Sequence, residues 1–251
     1  MPYADNHGVR IYYQIEGQGP PLVLRHGFSM TSEDWREYGY VAGLQNRFTL
    51  ILMDSRGYGA SDKPHDPNDY IWHFLVDDVI AIIDELRLSQ VHFWGWSMGG
   101  DMAYALAQAA PERLKTVIIG SGCAVGVADP AKPNDFRDSV DQGGSAWLVE
   151  LWKQNLPISQ AQEARLRQLD IQALSAELSA PHSSLESIPP TLSMSCLLYV
   201  GQSEDEYDCV LKDSQRIPNV RFASFPSFNH FDTWAHSDAV LPHVLQFLSE
   251  G

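Results

Sequence analysis

The chain has 251 residues, of which 17 are basic and 32 acidic, and its formal net charge is −15 at pH 7. Phosphate backbones need lysine and arginine to neutralise them, so this charge argues against nucleic acid and against anionic membrane surfaces as partners. No basic or apolar leader opens the sequence, and no apolar run approaches the about 20 residues of a membrane span.

The cysteines are Cys123, Cys196 and Cys209. Because they are few, widely spaced and odd in number, they argue against a disulfide framework and against a zinc knuckle. We therefore expect a reducing, cytoplasmic setting.

The predicted elements begin with a hairpin over residues 3–16, whose turn is the Asn-His-Gly of residues 6–8. Short apolar strands then alternate with longer helical patterns, and a last helix runs from about Asp238 to Ser249. In chain order the apolar strands read LVLRHG, FTLILMD, VHFWGW, KTVIIG, SCLLYVG and VRFASF. Continuous apolar strands separated by helices indicate an α/β fold with a mostly parallel, twisted sheet covered by helices on both faces.

Residues 125–191 interrupt this alternation, because they contain two or three helical patterns and no clear strand. Loops of that length are uncommon in compact domains, which favours a helical insertion. We predict a core domain made of residues 1–124 and 192–251, with a helical cap over residues 125–191. The alternative is a pair of ordinary crossover helices with long loops.

The motif Gly95-Trp96-Ser97-Met98-Gly99 stands where the strand VHFWGW ends and a helical pattern begins. At such a junction, G-x-S-x-G predicts a sharp turn that exposes a nucleophilic serine. The turn is tight, so the positions two residues away on either side must lack a Cβ. The N-terminus of the following helix favours developing negative charge. The alternative is that Ser97 only caps this helix beside packing glycines.

Together with LRHGF, DSRGYGASD, the helical insertion and a late histidine, this motif makes the chain resemble the α/β-hydrolase fold family over nearly its whole length. In overall pattern it is similar to the small, cofactor-free esterases and lactonases of that family. The insertion falls where such enzymes carry a cap domain. A serine rather than an aspartate at the turn argues against the epoxide-hydrolase and dehalogenase branches.

The resemblance implies roles for five further positions. In this family the nucleophile is followed by an acid and then by a histidine, and His230, in the loop before the last helix, is the expected base. The backbone N–H groups of Phe28 and Met98 are expected to form the oxyanion hole. His26 precedes the serine, so we expect it to shape its loop and, with Trp96, to border the substrate pocket.

The acid is expected in the stretch SEDEYD, which follows the strand SCLLYVG. Relatives place it three residues after the strand-ending glycine, and counting from Gly201 gives Glu204. The family's preference for aspartate keeps Asp205 open as the alternative. The other acids are expected at the start of the next helix, where Ser203 and Glu206 match a capping box. Alternatively, Asp205 caps this helix and Asp208 is its third residue.

These residues predict a serine hydrolase that cleaves a carboxylic ester or lactone through an acyl-enzyme intermediate. Its partner would be a small-molecule substrate, and we expect no cofactor and no metal. Two alternatives use the same triad, namely hydrolysis of a carbon–carbon bond and cofactor-free formation of a peroxyacid. A third is a ligand-binding protein of the hydrolase fold with little turnover, because a fold alone does not decide function.

Overall fold

The computed structural model describes residues 2–125 and 135–250. Strands β1 to β8 are Tyr3–Asn6, Val9–Gly17, Pro21–Arg25, Thr49–Met53, Val91–Trp96, Leu114–Gly120, Ser195–Gly201 and Val220–Phe225. They form one sheet in the order β1-β2-β4-β3-β5-β6-β7-β8. Strand β2 pairs antiparallel with β1 and β4, whereas all other neighbours pair in parallel. The predicted mostly parallel sheet with an antiparallel start is confirmed.

The α-helices cover both faces of this sheet. Helices α1 to α10 are Ser32–Glu37, Tyr40–Leu44, Trp72–Glu85, Met98–Ala109, Asp135–Asn155, Gln160–Arg167, Ile171–Leu178, Tyr207–Ser214, His230–Ala235 and Ser237–Glu250. Side chains alternate along each strand, so Val23 and Phe93 enter one apolar core and Leu24 and Trp94 the other. None of the helices that the structure describes combines the length and apolar composition needed to cross a membrane.

Helices α5 to α7 fall within the segment predicted as a cap, and the described part of residues 125–191 contains no strand. Residues 126–134 of that segment lie outside the described residues. The helical character of the segment is therefore as expected where it is described. Its division from the core as a separate domain stays a prediction.

A buried ion pair ties α7 to the sheet. Arg25, at the end of β3, lies 3.8 Å from the carboxylate of Glu177 on α7, and both side chains are almost fully buried. The hydroxyl of Tyr58 donates a hydrogen bond to the same carboxylate. On α6, Arg165 pairs with Asp34 of α1 at 2.8 Å. Ion pairs therefore link α7 to β3 of the sheet and α6 to α1.

A disulfide joins Cys123, in the loop after β6, to Cys209 of α8, with their Cα atoms 6.0 Å apart. The expectation drawn from the number of cysteines was wrong for this pair. Strands β6 and β7 are parallel neighbours, so the segments that follow their carboxyl ends meet at one edge of the sheet. Cys196 is a buried free thiol. The cysteines therefore give no support for a reducing compartment.

We predict that reduction of the Cys123–Cys209 bond lowers thermal stability. The bond links residues separated by 86 positions. A loop of that size restricts the unfolded chain by roughly 4–5 kcal/mol in the chain-entropy estimate. The corresponding fall in Tm is on the order of 10 °C, measured by circular dichroism with and without dithiothreitol. The Cys123→Ser/Cys209→Ser double variant is the control, and an equal response to reductant in that variant would contradict the prediction.

Candidate active site

The turn at Ser97 has a left-handed backbone, with φ of 55° and ψ of −123° between β5 and α4. A Cβ on Gly95 would overlap the carbonyl of Gly99, and a Cβ on Gly99 would come 2.6 Å from the carbonyl oxygen of Arg25. The backbone N–H of Ser97 donates to the carbonyl of Gly120 at 2.7 Å. Glycine at both flanking positions therefore allows α4 to pack closely against the ends of β3 and β5.

The hydroxyl of Ser97 faces a histidine and does not cap the helix. Ser97 occupies the N-cap position of α4, but its side chain makes no capping hydrogen bond. Its Oγ instead lies 3.0 Å from Nε2 of His230, the first residue of α9. The ring of His230 packs on that of Trp96, with the centroids 4.6 Å apart. The geometry does not support a serine that is only a cap.

Glu204 is the carboxylate that reaches this histidine. Its Oε2 lies 2.8 Å from Nδ1 of His230. Its Oε1 accepts hydrogen bonds from the backbone N–H of Gly201 at 2.7 Å, the hydroxyl of Ser121 at 2.9 Å and the hydroxyl of Thr233 at 2.6 Å. The structure thus brings together the predicted serine, histidine and first-choice acid in one hydrogen-bonded series.

Asp205, the alternative acid, is exposed, whereas Glu204 is buried. The backbone N–H of Glu204 donates to the carbonyl of Gly201 at 3.3 Å, and this turn directs Glu204 inward. Sequence reasoning missed Ser121 and Thr233. Both reach the carboxylate only through the tertiary fold, so their local sequence contains no signal that would have identified them.

Burial and hydrogen bonding have opposite effects on the pKa values of Glu204 and His230. Burial alone would raise the pKa of Glu204, but hydrogen bonds from His230, Thr233 and the N–H of Gly201 bring that pKa below its usual value. Burial also opposes a charge on His230, yet the hydrogen bond and the negative charge of Glu204 raise the imidazole pKa above its ordinary value. An ionised Glu204 therefore stabilises a proton on His230, as a base in acyl transfer requires.

A cavity of about 370 Å³ opens beside Ser97 and His230. Its aromatic walls are Phe28, Trp96, Phe136, Trp152 and Phe231. Two of these rings belong to α5, so the segment predicted as a cap forms part of the wall. Trp96 lines the cavity, and its role at a substrate stays a prediction.

His26 does not line this cavity, so its predicted place in the pocket was wrong. Its ring is buried, where Nε2 accepts the N–H of Ser55 at 3.1 Å and Nδ1 donates to the carbonyl of Gly27 at 2.8 Å. Burial lowers its pKa to about 4, which keeps the ring neutral. The expected role in shaping the loop fits these bonds.

Both predicted oxyanion donors border the cavity. Met98 is the first residue of α4, so its backbone N–H has no acceptor within the helix. Phe28 follows Gly27, where a Cβ would lie 3.0 Å from the Cβ of Ser97. Within the described residues the N–H of Phe28 makes no hydrogen bond. The two groups could therefore bind an oxygen atom held beside Ser97.

The start of α8 differs from the prediction. The helix begins at Tyr207, and Glu206 occupies the N-cap position without a capping hydrogen bond, so the box with Ser203 does not form. The backbone N–H of Ser203 donates instead to the carbonyl of Phe228 at 2.9 Å, which keeps it in the turn before the helix. The side chain of Glu206 borders the cavity.

One group of side chains has the spacing of metal ligands. Glu204, Glu206 and His230 bring possible ligand atoms within 4.8 Å of one another. Glu204 and His230 already share a hydrogen bond, with which a metal ion would have to compete. The geometry therefore favours a proton-transfer pair over a metal centre.

Comparison with known proteins agrees with the fold. Residues 20–194 match the family model described as alpha/beta hydrolase fold. The chain is 34% identical over 110 residues to bifunctional epoxide hydrolase 2 of Sus scrofa, which is 44% of this chain and 20% of that protein. It is 40% identical over 102 residues to the pimeloyl-[acyl-carrier protein] methyl ester esterase of Aeromonas hydrophila, which is 41% of this chain and 37% of that protein. The chain therefore matches only a fifth of the length of the epoxide hydrolase and little over a third of the length of the esterase.

A solved structure matches over almost the whole chain. The enol-lactonase from Burkholderia xenovorans LB400 has a TM-score of 0.86 and 22% sequence identity. The match covers 99% of this chain and 100% of that chain. At this identity the likeness establishes the fold alone.

We predict that Glu204→Gln lowers the pKa of His230, because it removes the negative charge that stabilises the imidazolium. Asp205→Asn should leave that pKa unchanged, since the Asp205 side chain is exposed and the carboxylate hydrogen-bonded to the ring is that of Glu204. NMR titration of the His230 ring protons measures both. If Asp205→Asn shifts the titration as far as Glu204→Gln does, the geometry has assigned the wrong acid.

Proposed function

Because the chain belongs to the alpha/beta hydrolase fold family, we propose that it is a serine hydrolase that cleaves a carboxylic ester or a lactone. The observation that carries the proposal is the hydrogen-bonded series from Ser97 through His230 to Glu204, with distances of 3.0 and 2.8 Å. A nucleophile, a base and an acid in this order activate a hydroxyl for attack on a carbonyl carbon.

In the proposed mechanism, Nε2 of His230 takes the proton of Ser97 while Oγ bonds to the substrate carbonyl carbon. The carbonyl oxygen becomes negative, and the N–H groups of Phe28 and Met98 stabilise it, each by about 3–4 kcal/mol. His230 then gives its proton to the leaving alcohol oxygen, and the acyl group remains on Ser97. Water attacks this ester while His230 takes its proton, and the proton returns to Ser97 as the acid leaves.

The cavity supports a small-molecule substrate. Its volume of about 370 Å³ lies within the range of ligand pockets, and its walls are mostly apolar. We also propose that residues 125–191 form a cap on the core of residues 1–124 and 192–251, because side chains of α5 and α7 complete the cavity. Assay of small esters, lactones and β-diketones tests the substrate class.

Three other functions make different predictions in that assay. Hydrolysis of a carbon–carbon bond would appear as turnover of the β-diketones, and peroxyacid formation as turnover that needs hydrogen peroxide. A binding protein would turn over none of them. The proton-transfer series at Ser97 supports turnover over binding alone, because ligand binding does not require a base beside a hydroxyl.

We predict that Ser97→Ala lowers kcat on an activated ester by about 10⁴-fold or more, because it removes the nucleophile. A serine-directed phosphonate should label the native protein and should not label the variant, as mass spectrometry would show. Circular dichroism checks that the variant is folded. Absence of label on the native protein would rule out the serine hydrolase.

We predict that kcat/KM falls as the pH is lowered, because a protonated His230 cannot accept the proton of Ser97. The pKa of His230 is raised by Glu204, so the midpoint should lie above the ordinary imidazole value. A pH–rate profile with a neutral ester measures it. A profile that is flat where imidazoles titrate would contradict His230 as the base.

A further inference from the structure

Two carboxyl groups border the cavity beside Ser97, and the proposed reaction uses neither of them. Asp101 lies in the first turn of α4, four residues after Ser97, so the two share one face of the helix. Glu206, the residue directly before α8, also borders the cavity. Among the described residues, no lysine or arginine lines this cavity.

The protein provides a hydrogen bond to only one of the two carboxylate oxygens of Asp101, among the residues described. Its Oδ1 accepts the N–H of Cys123 at 2.8 Å. In the described part of the chain its Oδ2 has no hydrogen-bond partner. Burial raises the pKa of Asp101 to about 7, a shift that the hydrogen bond from Cys123 opposes and the charge of Glu206 increases. Asp101 makes no ion pair with a lysine or arginine of the described residues, and a bound cation would supply such a partner.

The remaining walls suit the same kind of ligand. The aromatic side chains are Phe28, Trp96, Phe136, Trp152 and Phe231. The faces of aromatic rings attract ammonium groups, most strongly where water is excluded. The net charge of −15 adds a potential that draws cations towards the protein.

We propose that Asp101 and Glu206 determine specificity, and that the substrate is an ester or lactone that carries a positively charged ammonium group. The proposal rests on the serine hydrolase function proposed above. The ammonium group lies among the two carboxylates and the aromatic rings while the carbonyl carbon meets Ser97. A neutral substrate leaves the half-buried Asp101 without an ionic partner, whereas Glu206 is exposed and adds its negative charge at the edge of the cavity. The cationic substrate is therefore preferred.

Two esters of the same shape test this preference. Acetylcholine and 3,3-dimethylbutyl acetate differ only in a quaternary nitrogen that replaces a carbon. The native protein should prefer the cationic ester by about tenfold or more in kcat/KM. Asp101→Asn and Glu206→Gln should each reduce this ratio several-fold. Asparagine keeps an oxygen for the N–H of Cys123, so the fold is retained.

The ratio of the two kcat/KM values also separates the effect of ionising Asp101 from the effect of protonating His230. Titration of His230 affects both esters equally and cancels in the ratio. The charged groups that act on Asp101 are Glu206, His230 and Arg25. Because Asp101 ionises as the pH rises through about 7, the preference for the cationic ester should increase over that range. It should stay flat in Asp101→Asn.

Asp208→Asn is the matched control, since Asp208 is exposed and does not line the cavity. A ratio near one in the native protein, or a ratio that Asp101→Asn leaves intact, overturns the proposal, as does an equal loss in Asp208→Asn. If neither ester is cleaved and the phosphonate fails to label Ser97, the hydrolase function is wrong. Calorimetric binding of both esters to the native protein then decides the cation preference separately.

Discussion

The site depends on one strained residue, the left-handed turn at Ser97. Such a backbone costs on the order of 1–3 kcal/mol in a residue with a side chain and persists only where its surroundings enforce it. Here the enforcement is steric, because Gly95 and Gly99 let the backbone of α4 lie directly on β3 and β5. The same packing places Oγ of Ser97 within hydrogen-bond distance of His230. It also leaves the N–H of Met98 without an acceptor within the helix, at the N-terminus of α4.

The pKa values of two acids in this region shift in opposite directions. Glu204 receives four hydrogen bonds, which keep its pKa low and its charge fixed beside His230. Asp101 receives one from Cys123, and its pKa rises. Hydrogen bonds and the nearby His230 outweigh burial at Glu204, whereas at Asp101 the single hydrogen bond does not, and the charge of Glu206 adds to the shift. The protein thus supplies more hydrogen bonds to Glu204, whose charge the proposed chemistry needs, than to Asp101, which borders the cavity.

The sequence predicted what is encoded locally. The strand pattern identified the sheet, and the glycines around Ser97 identified the turn, because a tight backbone requires them within a few residues. Counting from Gly201 favoured Glu204, but only the fold excludes Asp205. Ser121 and Thr233 lie far from Glu204 in the chain, and so do Cys123 and Cys209 from each other. Their contacts arise from the order of parallel strands, which no local pattern specifies.

The buried pair of Arg25 and Glu177 has an evolutionary consequence. Replacing either residue alone would strand the other charge in an apolar interior, typically at a cost of about 3–5 kcal/mol, although replacing both together can be nearly neutral. The two positions are 152 residues apart in the chain but are expected to change in concert. A substitution at this position of α7 is thereby coupled to β3, the strand that leads into the loop of Phe28.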